Sequence, residues 1–201
     1  EYLIPEVKFS IIGVSYYDDE HNLPYGAINN KKDIVLKEKK YDQLNLKEVD
    51  WVVGCSLVVD THYVDVNKMF DENIFLYFEE IDFCRRVKSD GGIIFNSSIL
   101  RVKHLGNRGS AATDPEYSIE TEMFRNWHWM WSSFYFYKKN YNFFYAVKSM
   151  YGKFFRSLFK MIFFRIFYNE KKFTMYYARF SGILNCFLGK KSWYRVKSLF
   201  Q

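Results

Sequence analysis

Phe9-Ser10-Ile11-Ile12-Gly13-Val14-Ser15-Tyr16 has the β-branched and aromatic content of a strand. A turn-rich stretch from Asp18 to Gly26 follows, and a Lys-rich run over 31–40 reads as a solvated loop or edge. Val49 to Val59 is apolar nearly throughout, which predicts a second strand buried on both faces. From Glu79 the spacing changes. Acids fill a first turn, Ile81, Cys84 and Val87 recur near one face, and Gly91-Gly92 supplies a stop. Ile93-Ile94-Phe95 and Ile99-Leu100-Arg101-Val102 predict two short strands on either side of Asn96-Ser97-Ser98. His104 to Pro115 is a Gly/Ser-rich loop. Beyond Glu116 the period is helical to the end. Candidate helices fall at about 116–140, 142–168, 172–188 and 192–200, punctuated by Asn140, Asn169 and Gly189. Strands alternating with a helix, then helices alone, predict an α/β core over 1–115 carrying an α-helical tail over 116–201.

Composition narrows the class. The 201 residues are 49% hydrophobic, which excludes a disordered or fibrous chain and allows one domain with an appendage. Cys55, Cys84 and Cys186 are far apart in sequence, which argues against a disulfide framework or zinc knuckle and fits a reducing compartment. No secretory signal is visible, and Glu1-Tyr2-Leu3-Ile4-Pro5 reads as the middle of something. The net charge of +6 is a sum of opposites. Residues 1–137 hold 15 Lys/Arg against 22 Asp/Glu, whereas 138–201 hold 14 Lys/Arg and the single acid Glu170. Such asymmetry predicts a basic appendage that meets a polyanion.

The chemistry concentrates in Phe70 to Arg86, where five acids stand among aromatics. Asp82 reaches Arg85 and Arg86 at i+3 and i+4, so its expected role is structural. Glu79 and Glu80 occupy a first helical turn, where the helix dipole favours their ionised forms. A carboxylate there could take a proton from an alcohol, and a solvated helix cap would have the same sequence. His104 leads into a loop whose Arg108, Ser110 and glycine-freed backbone N–H groups suit phosphate oxygens; a satisfied core histidine is the plainer alternative. Gly54 inside an apolar run marks a bulge or a close approach by a ligand. Cys55 has no His or Asp in a suggestive relation to it and is not expected to be a nucleophile. In the tail, Tyr151 to Tyr168 is too charged to span a bilayer, and its Lys/Arg mixed with aromatics suits an anionic headgroup layer. A basic helical subdomain with aromatics turned inward is the competing reading. The tail alone suggests nucleic acid, but no recognised motif accompanies it and the acidic body would repel phosphate.

Taken in order, Gly54, Phe70-Asp71-Glu72, Phe75-Leu76-Tyr77-Phe78, Glu79-Glu80-Ile81-Asp82, Arg85 and His104-Leu105-Gly106 resemble the C-terminal part of glycosyltransferase family 2. These are inverting enzymes with a GT-A fold, and the rhamnosyltransferase-like branch is the most similar. The resemblance runs from about residue 8 to 140, and Gly182 to Gly189-Lys190 is similar to the family's closing helix. It implies a partial GT-A-type mixed sheet with flanking helices. It also implies single displacement at an anomeric carbon. Glu80 stands at the position of the family's base, where Asp is usual, so the same chemistry would work on a longer arm. Glu79 would orient that base. Trp51, Gly54, Asp71 and Glu72 would line the acceptor pocket. His104, with Arg108 nearby, would lie beside a divalent metal (Mg²⁺ or Mn²⁺) and the leaving diphosphate. Lys68-Met69 replaces a glycine usual before Phe-Asp-Glu.

The resemblance puts the nucleotide-binding strands and the Asp-x-Asp metal motif upstream of this chain, and Asp18-Asp19 does not substitute for that motif. The expected donor is a dTDP- or UDP-sugar and the acceptor a glycan or polyprenyl-linked sugar. The setting would be surface polysaccharide synthesis on the cytoplasmic face of the membrane. These 201 residues alone are expected to be inactive. The alternative is a non-catalytic remnant or membrane-bound scaffold of the same fold.

Overall fold

A computed structural model describes residues 8–17, 45–103 and 119–195. The described residues form a mixed α/β structure with a four-stranded mixed sheet and four helices. They divide into two compact units. The first holds described residues up to Asp71 and from Glu79 to 103; the second holds 72–78 and the helices from 119 onward. The boundary expected at 115/116 lies outside the described residues.

In the first unit the strands are β1 (Ile11–Tyr17), β2 (Leu46–Glu48), β3 (Leu57–Val59) and β4 (Ile94–Lys103), in the order β2-β4-β1-β3. β1 and β4 run parallel, while β2 and β3 are antiparallel edge strands. Consecutive residues of β1 serve opposite faces, as strand geometry requires. Ile11 joins Val49, Val52 and Ile94 in one core cluster with Phe83, Cys84 and Val87 of helix α1 (Glu79–Ser89). Ile12 joins Phe9, Leu46 and Phe95 in another. The helix stops as its glycines predict: Gly91 takes φ +83°, and the N–H of Gly92 reaches back to the Val87 carbonyl at 2.8 Å.

Two strand expectations are corrected. Val49–Val59 is not one strand. β2 pairs with β4 at one edge and β3 with β1 at the other, so residues 49–56 cross the sheet face between them. Burial under that crossing, with Val49 and Val52 in the core, accounts for its apolar sequence. Gly13 makes room for it, since a Cβ there would collide with the side chain of Val52. The second correction concerns β4, a single strand where two were expected. Val14 pairs with Ser97 but Ser15 with Arg101, so residues 98–100 bulge. Ser97 holds the bulge by accepting from the N–H groups of Ile99 and Leu100 through its Oγ.

The second unit is built on α2 (Ile119–Asn140), α3 (Phe143–Ile166) and α4 (Glu170–Phe187). Asn142 and Asn169 cap α3 and α4 by accepting from the N–H of Tyr145 and Lys172. Gly189, at φ +74°, ends α4. Residues 191–195 are not helical, which corrects the expected start of a helix at 192. The core is aromatic: Trp127, Trp131 and Phe134 pack with Met150, Ala178 and Ile183. His128 is fully buried between Ser192 Oγ (3.1 Å) and the Tyr194 carbonyl (2.9 Å), and burial pushes its pKa down to about 4. The tail's aromatics are not uniformly inward. α3 buries only Ala146, Met150 and Ser157 and turns many large apolar side chains outward. No helix among the described residues is long and apolar enough to cross a membrane.

Gly152, in the middle of α3, has none of the described residues within 4 Å of where a Cβ would stand. Gly152→Ala is therefore expected to stabilise the protein by about 0.5–1 kcal/mol, because only backbone entropy changes. A chemical denaturation midpoint that fell instead would contradict the open site.

Candidate active site

The first turn of α1 sets Glu79 and Glu80 side by side, both partly buried. Glu80 lies along the backbone of Gly54: a Cβ on Gly54 would stand 3.4 Å from the Glu80 Cβ and 3.7 Å from its Cδ. Gly54 is thus neither in a strand nor at a sheet bulge. It sits in a turn of the 49–56 crossing, at van der Waals distance from the carboxylate arm. Cys84, one turn along α1 from Glu80, is fully buried, and Cys55 is half-buried. Burial, with the Glu80 charge adding to it, raises both thiols, Cys84 to about 11. Both shifts favour the thiol over the thiolate.

The electrostatics of the two glutamates differ from the sequence expectation. A helix N-terminus should favour the ionised forms. Burial outweighs that here. It pushes the Glu80 carboxyl up to about 6, against a hydrogen bond from its own backbone N–H, and the charge of Glu79 adds to the rise. Glu79 is raised as well, mainly by burial. Its Oε2 is buried and has no hydrogen-bond partner among the described residues. Leaving a buried carboxylate oxygen unmatched costs on the order of 1–3 kcal/mol, so such atoms are uncommon outside sites that use them.

The backbone leading into α1 is strained. Tyr77 and Phe78 take φ +66° and +72°, a region bulky residues seldom enter, at about 1–3 kcal/mol each. The helical unit over-determines them. Tyr77 Oη accepts from Arg125 Nε at 2.7 Å, Ser132 Oγ donates to the Leu76 carbonyl at 2.8 Å, and the Phe78 ring packs on Trp129 and Phe136. Four residues beyond Phe78, Asp82 is fully buried and accepts from Arg86 Nε at 3.0 Å. The other two guanidinium nitrogens donate to the carbonyls of Lys68 and Met69, at 2.5 and 2.6 Å. Asp82 therefore fixes α1 to the chain before it, the structural role its spacing predicted.

Of the remaining expected residues, Trp51, Asp71 and Glu72 are described. Trp51 is half-buried against the Val49–Val52 core cluster. Asp71 falls in the sheet unit and is half-buried, whereas Glu72 is exposed and falls in the helical unit. His104 and Arg108 lie outside the described residues, and so does the Lys-rich run. Among the described residues no group of three His, Cys, Asp or Glu side chains could hold a metal ion, so these residues do not by themselves fit the divalent cation. A separate cleft of about 430 Å³ opens at the far end of α1, between Lys68, Arg86 and Gly91, and includes neither glutamate. Two features of the site went unread in the sequence. One is the Glu80–Cys84 pairing, available from i,i+4 spacing. The other is the Gly13 notch beneath Val52, which has no local signature.

Comparison with protein families, curated proteins and solved structures finds no match for this chain.

Proposed function

We propose that the chain is the acceptor-side part of an inverting glycosyltransferase of GT-A type, with Glu80 as general base and Glu79 as its positioning neighbour. The observation supporting this reading is the partly buried carboxylate pair at the start of α1, with a raised Glu80 pKa and a Glu79 oxygen unpartnered among the described residues. The mixed sheet with its parallel β1–β4 pair is compatible with it. Glu80 takes the proton from an acceptor hydroxyl as that oxygen bonds to the anomeric carbon of the donor. The bond from that carbon to the nucleoside diphosphate breaks, the diphosphate leaves with the electron pair, and the configuration inverts. A base near pKa 6 is ionised at neutral pH yet more basic than an ordinary glutamate. The donor class is a UDP- or dTDP-sugar, and the acceptor is a glycan or polyprenyl-linked sugar. The protein would act peripherally on the cytoplasmic membrane face, in surface polysaccharide synthesis.

The test is release of nucleoside diphosphate from UDP- and dTDP-sugars by the full-length polypeptide, wild type against Glu80→Gln. Transfer with inverted anomeric configuration, lost in the variant, supports the assignment. Transfer that survives the substitution overturns Glu80 as the base, and no transfer by the wild type favours a non-catalytic scaffold.

A further inference from the structure

We propose that the outward face of α3 docks on an anionic lipid bilayer, with the helix lying in the plane of the headgroups. This deepens the peripheral-membrane part of the reading above. It rests on the helical unit alone and does not use the sugar-transfer chemistry.

The face is built for such a partner. Phe144, Tyr151, Phe155, Phe159, Ile162 and Ile166 are all exposed, with Phe144 at 83%, Phe159 at 70% and Ile166 at 63%. At 3.6 residues per turn these six fall within about 80° of one another and extend along about 33 Å of helix. The small or slender Ala146, Met150 and Ser157 occupy the opposite, buried face. The helix is thus apolar on the side away from its own core, the reverse of an ordinary surface helix. Apolar exposure on this scale marks an interaction surface.

The charges indicate the partner. Residues 138–195 hold thirteen Lys/Arg and one acid, Glu170. By the same helical geometry Lys148 falls within the stripe and Arg156 about 60° beyond one edge, while Arg165, beyond the other edge, lays its guanidinium over the Phe173 ring of α4. Lys160 is turned the other way and donates to Tyr176 Oη at 3.0 Å. Aromatic side chains bordered by cations suit the boundary between headgroups and acyl chains, where basic residues meet anionic lipid. Beside the stripe an apolar groove of about 330 Å³ opens, lined by Tyr151 and Phe155 together with Met150, Phe154, Ile183 and Phe187. It offers hydrocarbon a continuation of the same surface.

Flotation of the full-length protein with vesicles tests this. The vesicles are phosphatidylcholine alone or phosphatidylcholine with phosphatidylglycerol. Binding is expected to the anionic vesicles, weakening as salt rises. Phe159→Glu with Ile166→Glu should abolish it, and because both positions are exposed the melting curve should not change. Arg156→Gln should weaken binding about fivefold, whereas Lys153→Gln, which removes the same charge from another face of α3, should weaken it far less. The proposal is overturned if the wild-type protein does not float, or if the double variant still does. A dimer in sedimentation that the double variant dissolves, without vesicle binding, would assign the face to a second copy of the chain instead. Each outcome is independent of whether Glu80→Gln loses transferase activity.

Discussion

Glu80→Gln is expected to lower sugar transfer by about 10²–10⁴-fold, the usual worth of a positioned general base, without loss of the fold. Glutamine keeps the arm that lies along Gly54 and removes the proton acceptor. Two pH signatures separate this role from a packing role. The base works ionised, so wild-type kcat/KM should fall about tenfold per pH unit below about 6, and that limb should vanish in the variant. Stability runs the other way. The folded-state pKa of Glu80 lies above the ordinary 4.5, so its favourable contribution is complete below pH 4.5 and is lost as pH rises through about 6. At pH 8 the ionised carboxylate costs the sheet unit up to about 2 kcal/mol, and Glu80→Gln should recover part of it. Denaturant melts of both proteins at pH 5 and pH 8 measure this; a variant no more stable at pH 8 than the wild type would place Glu80 in a better solvated setting.

Gly182→Ala is expected to be the most damaging methyl addition in the helical unit. A Cβ there would collide with the backbone carbonyl of Trp127, so α4 and α2 would have to separate. Neither is free to yield. Trp127 lies parallel to Trp131 with ring centroids 6.4 Å apart, and Trp131 Nε1 donates to the Lys190 carbonyl just beyond the end of α4. Overpacking against backbone in such a core costs about 3 kcal/mol, which for a unit of this size lowers Tm by roughly 10 °C or more. A circular dichroism melt gives the number. Gly152→Ala, the same chemical change in open space, is the internal control with the opposite sign.

These two glycines also show how far the sequence could be read. Helices α1 to α4, the Asn169 boundary and the Gly91 and Gly189 stops depend on local spacing and chemistry and were legible, whereas Asn142, the cap of α3, was not singled out and no helix starts at 192. The run Val49–Val59 was not, because a segment crossing a sheet face is as apolar as a central strand. Likewise, Asn96-Ser97-Ser98 looked like a break, yet Ser97 keeps a continuous strand by binding the backbone of its own bulge. In the site, the acids of α1 stood out by sequence, but their ionisation did not. First-turn placement argued for low pKa values, and burial, which depends on tertiary packing, won. The left-handed Tyr77 and Phe78 carried no warning, since nothing in an aromatic pair forecasts a positive φ.

The parallel pairing of β1 with β4 joins Ile11 to Ile94, 83 positions later in the chain. At ordinary rates of synthesis, β1 leaves the ribosome on the order of ten seconds before its parallel partner β4 exists, with only the short β3 made in between to pair with it. Its sequence Ile-Ile-Gly-Val-Ser-Tyr-Tyr carries no charge, the profile of an aggregation-prone segment, with Lys8 and Asp18-Asp19 as flanking gatekeepers. Nascent chains stalled before residue 94 should therefore be held by a chaperone, and chains stalled well past 103 released; equal capture of both lengths would refute it. Until Ile94 emerges, one edge of this uncharged strand has no parallel partner to cover it.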